Sequence, residues 1–393
     1  MNRPKFPLSL LGFGVAALLP GLAMLFGAPD VQIFGVMRHP DWPTLSWASL
    51  SEDRYAHEAT EAFESKFGFR GAATYIDNTL RLKLLGETKP SYGPQRGKEE
   101  VLYHSEDLVF FSKYDDQLPS KEEVGAVAHD IGALQRMLAK RGQALVPVLV
   151  PGKGALYPAQ VSDAWKFPVG EPRPADVRVY DTLRAALADE QVQYVDARAL
   201  LLSPEHPIER MWGREARHWT HFGGCLTMQR VRDVYTALVG TKLADYPCQL
   251  KEHERDGILH DDYDLLRLVN AWNVPMYSPT EPDVFRQWDA PPTPGPSVMT
   301  IGTSFFGTLA WDATVSQQFG PVHMNYYNKQ MFALPKGEGK SFKAHTDEWR
   351  ASVHGKQLYI LDMFEVYFPG AYLKEFVKEL SEEPGPPPAP CCS

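Results

Sequence analysis

From Ser120 to Phe364, short and continuously apolar runs alternate with helical ones. That rhythm restricts the chain to an α/β architecture: a parallel sheet covered on both faces. Ser120 and Glu123 form a capping box ahead of Val124, Val127, Ile131, Leu134 and Leu138, whose spacing is helical, and Gly142 closes the helix. The run from Ala144 to Val150 has the unbroken apolar character of a strand buried on both sides. Helices are predicted from Asp176 to Glu190 and from Gly223 to Val239. Strands are predicted from Val192 to Val195, Ser297 to Gly302, His323 to Tyr327 and Gln357 to Phe364. Open sheets of this kind bind ligands beyond the carboxyl ends of their strands, so the residues just after each strand are the ones to examine.

Ahead of this region the pattern changes. Arg3 and Lys5 precede an uncharged run from Phe6 to Pro29. As a helix it spans roughly 36 Å, enough for a hydrocarbon core of about 30 Å. Residues 1–29 are therefore expected to be a signal anchor or a cleaved signal peptide. The basic flank stays cytoplasmic, and the rest lies on the periplasmic side of an inner membrane or is exported. Residues 30–50 read as an extended linker. Residues 51–380 follow as the main domain, of which 51–119 are either a helical extension or a separate subdomain. Within that stretch a helix from Ser51 is interrupted at Phe67-Gly68-Phe69-Arg70 and resumes from Ala72 to Leu85. The segment from Gly97 to Phe111 reads as a hairpin or short strands ending in Leu108-Val109-Phe110-Phe111. Residues 381–393, with Pro384 to Pro390, are expected to be disordered.

A net charge of −9 and the lack of a dense Lys/Arg block argue against a nucleic-acid partner. None of the four cysteines lies in a CxxC pair, so no zinc site is expected. Cys225 and Cys248 are either a disulfide, in an oxidising compartment, or two unrelated thiols. Gly152-Lys153-Gly154 follows a strand but lacks the GxxxxGK[ST] pattern, so it reads as a structural turn and no bound nucleotide cofactor is expected.

Two segments carry candidate chemistry. In Thr300-Ile301-Gly302-Thr303-Ser304-Phe305 an apolar strand runs into a glycine and then a serine. A sharp turn there exposes the hydroxyl and offers nearby backbone N–H groups to an oxyanion. In Glu215-Ala216-Arg217-His218-Trp219 a histidine sits in a loop just before a helix. A serine nucleophile needs such a base, and the base needs an orienting acceptor. Asp196 ends a strand, Trp219 reads as packing, and Glu365 reads as a solvated loop acid.

Taken in order, Phe67-Gly68-Phe69-Arg70, Val150-Pro151-Gly152-Lys153, Val195-Asp196, His218-Trp219 with Gly223, and Gly302-Thr303-Ser304-Phe305 resemble the SGNH-hydrolase-like O-acetyltransferases of alginate and related exopolysaccharides. The resemblance implies an SGNH-like, flavodoxin-like three-layer fold with the histidine block before the serine block, a circularly permuted order. It implies Ser304 as nucleophile, His218 as general base, a polysaccharide acceptor, and a membrane-bound O-acyltransferase as acetyl donor. The family places an aspartate two residues before the histidine, and here that position is Ala216. Three outcomes follow: Glu215 takes over the role, another carboxylate does, or the chain is an inactive scaffold or polysaccharide-binding subunit. A carbohydrate esterase would use the same acyl-enzyme.

Overall fold

The computed structural model describes residues 18–27, 29–35, 40–51, 54–88, 93–112, 118–165, 178–243, 248–250, 263–275, 283–284, 295–310, 319, 322–334, 340–341 and 344–382. The proline-rich tail from 383 and residues 1–17 lie outside these. The chain divides into two compact units, one of residues 1–94 with 266–275 and one of residues 95–265 with 276–393.

The first unit is helical. Residues 18–26 form a helix, followed by Trp47–Ser51, Arg54–Lys66 and Arg70–Leu80, the last continuing as a π-helical turn Arg81–Leu85 that ends at Gly86. The break expected at Phe67–Arg70 is present, with Phe69 in the left-handed region at φ 60°. Asp30 caps the helix after it, accepting from the N–H groups of Gly71 (2.6 Å) and Ala72 (3.0 Å). Part of the segment expected as a linker is thus fastened to a helix start. Asn270 binds both the N–H and the carbonyl of Phe34, and the Asn78 amide donates to Val269 O, which ties in the distant 266–275 segment.

The second unit is built on a seven-stranded sheet. Ahead of that sheet, β1 (Pro94–Arg96) pairs with β2 (Leu102–His104). The sheet comprises β3 (Ala144–Val150), β4 (Val195–Asp196), β7 (Val298–Gly302), β8 (Val322–Tyr326), β9 (Gln330–Leu334), β10 (Lys340–Ser341) and β11 (Leu358–Phe364). A separate antiparallel pair is formed by β5 (Gln249–Leu250) and β6 (Asp283–Val284). The sheet order is β10-β9-β8-β7-β11-β3-β4. The five strands from β8 to β4 are parallel, as expected, while β9 and β10 add an antiparallel edge. Both faces are covered. Val146, Val148, Val150, Ile360 and Phe364 enter a core with Trp212, Trp219, Phe305 and the helix His221–Val239. Leu145, Leu149, Tyr359, Leu361 and Met363 enter a second core with Ile131, Leu134 and Phe376. A strand apolar at every position thereby serves two layers through its period-two alternation.

Two expectations differ. Leu108–Phe111 is helical, within Ser105–Ser112, because Ser105-Glu106-Asp107 supplies a polar, acidic first turn. Val192–Tyr194 does not pair, and β4 begins only at Val195. Cys225 and Cys248 form a disulfide. Among the described residues no helix is long and apolar enough to cross a membrane; most of the expected anchor lies outside them.

Candidate active site

Ser304 is positioned by the end of β7. Gly302 there has φ 156°, and a Cβ on it would lie 2.2 Å from Asp362 Cβ, so only glycine lets the two strands approach. Asp362 on the neighbouring strand β11 accepts from Thr303 N (2.8 Å) and from the Thr303 hydroxyl, pinning the turn just before the serine. Tyr327 N–H donates to Gly302 O at 3.0 Å from the other side. Burial pushes Asp362 up to about 6, against the hydrogen bonds from Thr303 that lower it. Ser304 then opens the helix Ser304–Ala310.

His218 is held by its neighbours rather than by regular structure. Trp219 is fully buried and donates its indole N–H to Phe305 O at 3.1 Å, joining the histidine loop to the serine turn. The Phe305 ring meets the His218 ring edge-on, with centroids 4.8 Å apart. Thr220 caps the helix His221–Val239, and Gly223 is required there because a Cβ would lie 2.4 Å from Met211 O. Lys153 acts on the loop from below. Its fully buried ammonium donates to the carbonyls of Gly213 (3.0 Å), Arg214 (2.6 Å) and Ala216 (2.6 Å). Burial pushes this lysine down to about 7, while Asp264, Glu215 and Asp107 raise it.

The imidazole bridges two partners. His218 Nε2 lies 2.7 Å from Ser304 Oγ, and Nδ1 lies 2.7 Å from Asp264 Oδ2. The other Asp264 oxygen accepts from Arg217 N (2.7 Å) and Leu265 N (2.8 Å), which fixes the carboxylate. A carboxylate at Nδ1 holds the proton there and leaves the Nε2 lone pair facing the serine hydroxyl. The expectation for Glu215 is therefore corrected: Asp264, 46 residues after the histidine, occupies the position facing Nδ1. Glu215 is 1 % exposed, and its field acts on Lys153 and Tyr157, groups of the inner core.

Beside the triad, Arg217 pairs with Glu106 at 2.7 Å and lies 3.8 Å from buried Asp107, while donating to the Tyr367 hydroxyl at 3.0 Å. The Tyr327 ring packs edge-on against those of Tyr326, Tyr367 and Tyr372. Glu365 is buried rather than solvated, because it follows the central strand β11; it accepts from Gly152 N and fixes the turn leading to Lys153. Asp196 is structural: it caps the helix Ala197–Leu201 and accepts from Tyr180. Among the described residues no cluster of His, Cys, Asp or Glu is arranged to hold a metal.

A family model described as the SGNH hydrolase-like domain of acetyltransferase AlgX matches residues 97–315, more than half of the chain. The chain belongs to that family. The match encloses Lys153, His218, Asp264 and Ser304. The chain is similar to the probable alginate O-acetylase AlgJ of Pseudomonas syringae pv. tomato, with 22% identity over 215 residues, which is 55% of this chain and 50% of that protein. It thus spans about half the length of that curated relative. Similar solved structures include the O-acetyltransferase domain of Pseudomonas putida AlgJ (14% identity, TM-score 0.44, 73% of this chain and 99% of that one). They also include Pseudomonas aeruginosa AlgX (14%, TM-score 0.44, 74% and 67%).

Proposed function

We propose that this chain is an O-acetyltransferase that acts on an exopolysaccharide through an acetyl-Ser304 intermediate. The observation that carries the reading is the unbroken relay from Asp264 through His218 to Ser304, at 2.7 Å and 2.7 Å. Ser304 Oγ attacks the acetyl carbonyl of the donor as its proton passes to His218 Nε2. The imidazolium, stabilised by Asp264, returns that proton to the leaving group. A polysaccharide hydroxyl then attacks the acetyl-serine, His218 takes its proton, and Ser304 is regenerated with the proton back on Oγ. The Ser304 N–H, at the start of a helix and without an intrahelical acceptor, is a candidate donor to the oxyanion.

A membrane-bound O-acyltransferase is the proposed source of the acetyl group, and the periplasmic side of the inner membrane the proposed site of action. The uncharged run from Phe6 to Pro29 and the Cys225–Cys248 disulfide support an exported location. The scaffold alternative rested on the missing acid at Ala216, and the carboxylate of Asp264 at Nδ1 removes that support.

The test uses a chromogenic acetate ester as donor. The protein should release acetate, and a peptide containing Ser304 should gain one acetyl group; Ser304→Ala should do neither. Equal release from both proteins would remove Ser304 from the reaction. Acetyl appearing only in water, never on added oligosaccharide, would assign an esterase instead.

A further inference from the structure

The exposed large hydrophobic side chains are not spread evenly. Among the described residues all of them except Val109 and Leu202 belong to the first, helical unit. A folded surface tolerates scattered apolar residues, but apolar stripes at helical spacing mark a surface that meets something.

Two such stripes occur. The helix at residues 18–26 turns Ala23 inward, where its Cβ lies against Gly68, and exposes Leu18, Leu22 and Leu25 at spacings of four and three. The helix Arg70–Leu80 with its π-helical extension exposes Ile76, Leu80 and Leu84 at spacings of four, and Leu84 is 74% exposed. Trp47, on the short helix Trp47–Ser51, is 88% exposed. A tryptophan in the open is costly in water but suits a lipid headgroup layer, where its ring is half wet and half apolar.

We propose that this unit is a membrane-associated module, its Ile76-Leu80-Leu84 stripe lying in the outer acyl and headgroup layer of a bilayer. The inference goes beyond the acetyl-transfer reading and does not depend on it. The occupant is argued from continuity. The first stripe belongs to the uncharged run from Phe6 to Pro29, which is long enough to cross a hydrocarbon core. The same unit therefore carries a membrane-crossing length of chain and a second apolar stripe. A lipid surface accommodates a convex helix face without a complementary groove.

The test places the full-length chain in phosphatidylcholine vesicles carrying a diazirine on the acyl chain, with photolabelled residues mapped by mass spectrometry. Adducts should appear within residues 76–85 as well as in the N-terminal run. Leu80→Asp with Leu84→Asp should lower labelling of 76–85 at least ten-fold, leave the N-terminal adducts in place, and leave ester turnover and melting unchanged. Adducts confined to the N-terminal run would overturn the proposal and reduce the unit to a tether. So would a stripe covered by a second copy of the chain. In that case the protein would be a dimer without vesicles, the double variant would dissociate it, and residues 76–85 would stay unlabelled.

Discussion

Replacing Asp264 by asparagine tests the triad assignment at its least expected member. The carbonyl oxygen of the new amide can still accept from Arg217 N and Leu265 N, so the loop keeps its two anchors. What changes is the group facing His218 Nδ1 at 2.7 Å. An amide NH₂ there donates, so Nδ1 must accept and the proton moves to Nε2. The nitrogen that lies 2.7 Å from Ser304 Oγ then carries a hydrogen and cannot take the serine proton. In the serine-protease triad the same exchange costs about 10⁴ in turnover, or about 5 kcal/mol of transition-state stabilisation. A loss of that order in kcat is expected for Asp264→Asn in the acetate-ester assay, with little change in KM and a melting temperature near that of the wild type. Glu215→Gln is the control and should stay within about ten-fold, because that residue does not face the imidazole. Because the three residues act as one unit, His218→Ala combined with Asp264→Asn should be no slower than His218→Ala alone. A D264N enzyme within ten-fold of wild type, beside an E215Q enzyme reduced a thousand-fold, would refute the assignment and restore the acid that the sequence suggested.

Lys153→Met removes the charged donor shared by three loop carbonyls, each of which keeps one other donor (Ala216 N–H, Leu102 N–H and the Trp212 indole); each lost hydrogen bond to a charged group is worth about 1.5–3 kcal/mol, partly offset by no longer burying a charge. Turnover should fall at least ten-fold and the His218 ring resonances should shift, while Lys153→Met with unmoved resonances would make the lysine a mere core filler. Asp107 is buried, both its carboxylate oxygens lack hydrogen-bond partners, and burial raises it from 3.8 to about 6. A raised acid stabilises the fold below its unfolded value and loses that contribution as pH rises through about 6. Asp107→Asn should therefore gain on the order of 2 kcal/mol over wild type between pH 4 and pH 7, read from denaturant midpoints, and a pH-independent offset would contradict this. Reducing the Cys225–Cys248 bond, which spans 23 residues, should cost about 3 kcal/mol of stability in the chain-entropy account, and an unchanged melting temperature would show that the loop is ordered without it.

The parts of the fold legible in the sequence are those where a local pattern and tertiary packing demand the same thing. The capping box at Ser120 and Glu123 forms as its residues require. The strands β3, β7 and β11 are apolar at nearly every position because both sheet faces are covered. The hairpin from β8 to β9 was also within reach. Tyr327 and Asn328 both have positive φ, at 51° and 54°, and an asparagine between two alternating runs is a recognised sign of such a turn. Leu108–Phe111 misled because four apolar residues fit a strand and a buried helical turn equally well. The acidic residues ahead of them were the deciding signal.

The acid of the site was not legible for a different reason. A search for a partner to His218 looks two or three residues away, because short loops make that the cheapest place to put a carboxylate. The imidazole requires only an oxygen facing Nδ1, and the fold is indifferent to where along the chain it originates. In this chain the stretch just before the histidine is committed elsewhere. Ala216 is fully buried, and its carbonyl accepts from both Lys153 and the Trp212 indole. Glu215 is buried, and its charge acts on Lys153. With that stretch serving as the structural floor of the site, the acid arrives on a separate segment, and Asp264 is held in place by the N–H of Arg217, the residue next to the histidine it orients. The lysine that grips the loop and the aspartate that grips the ring thus act on one short segment from two sides. A motif scan detects neither, because both contacts end on backbone atoms or on a ring whose chain neighbours do not announce them.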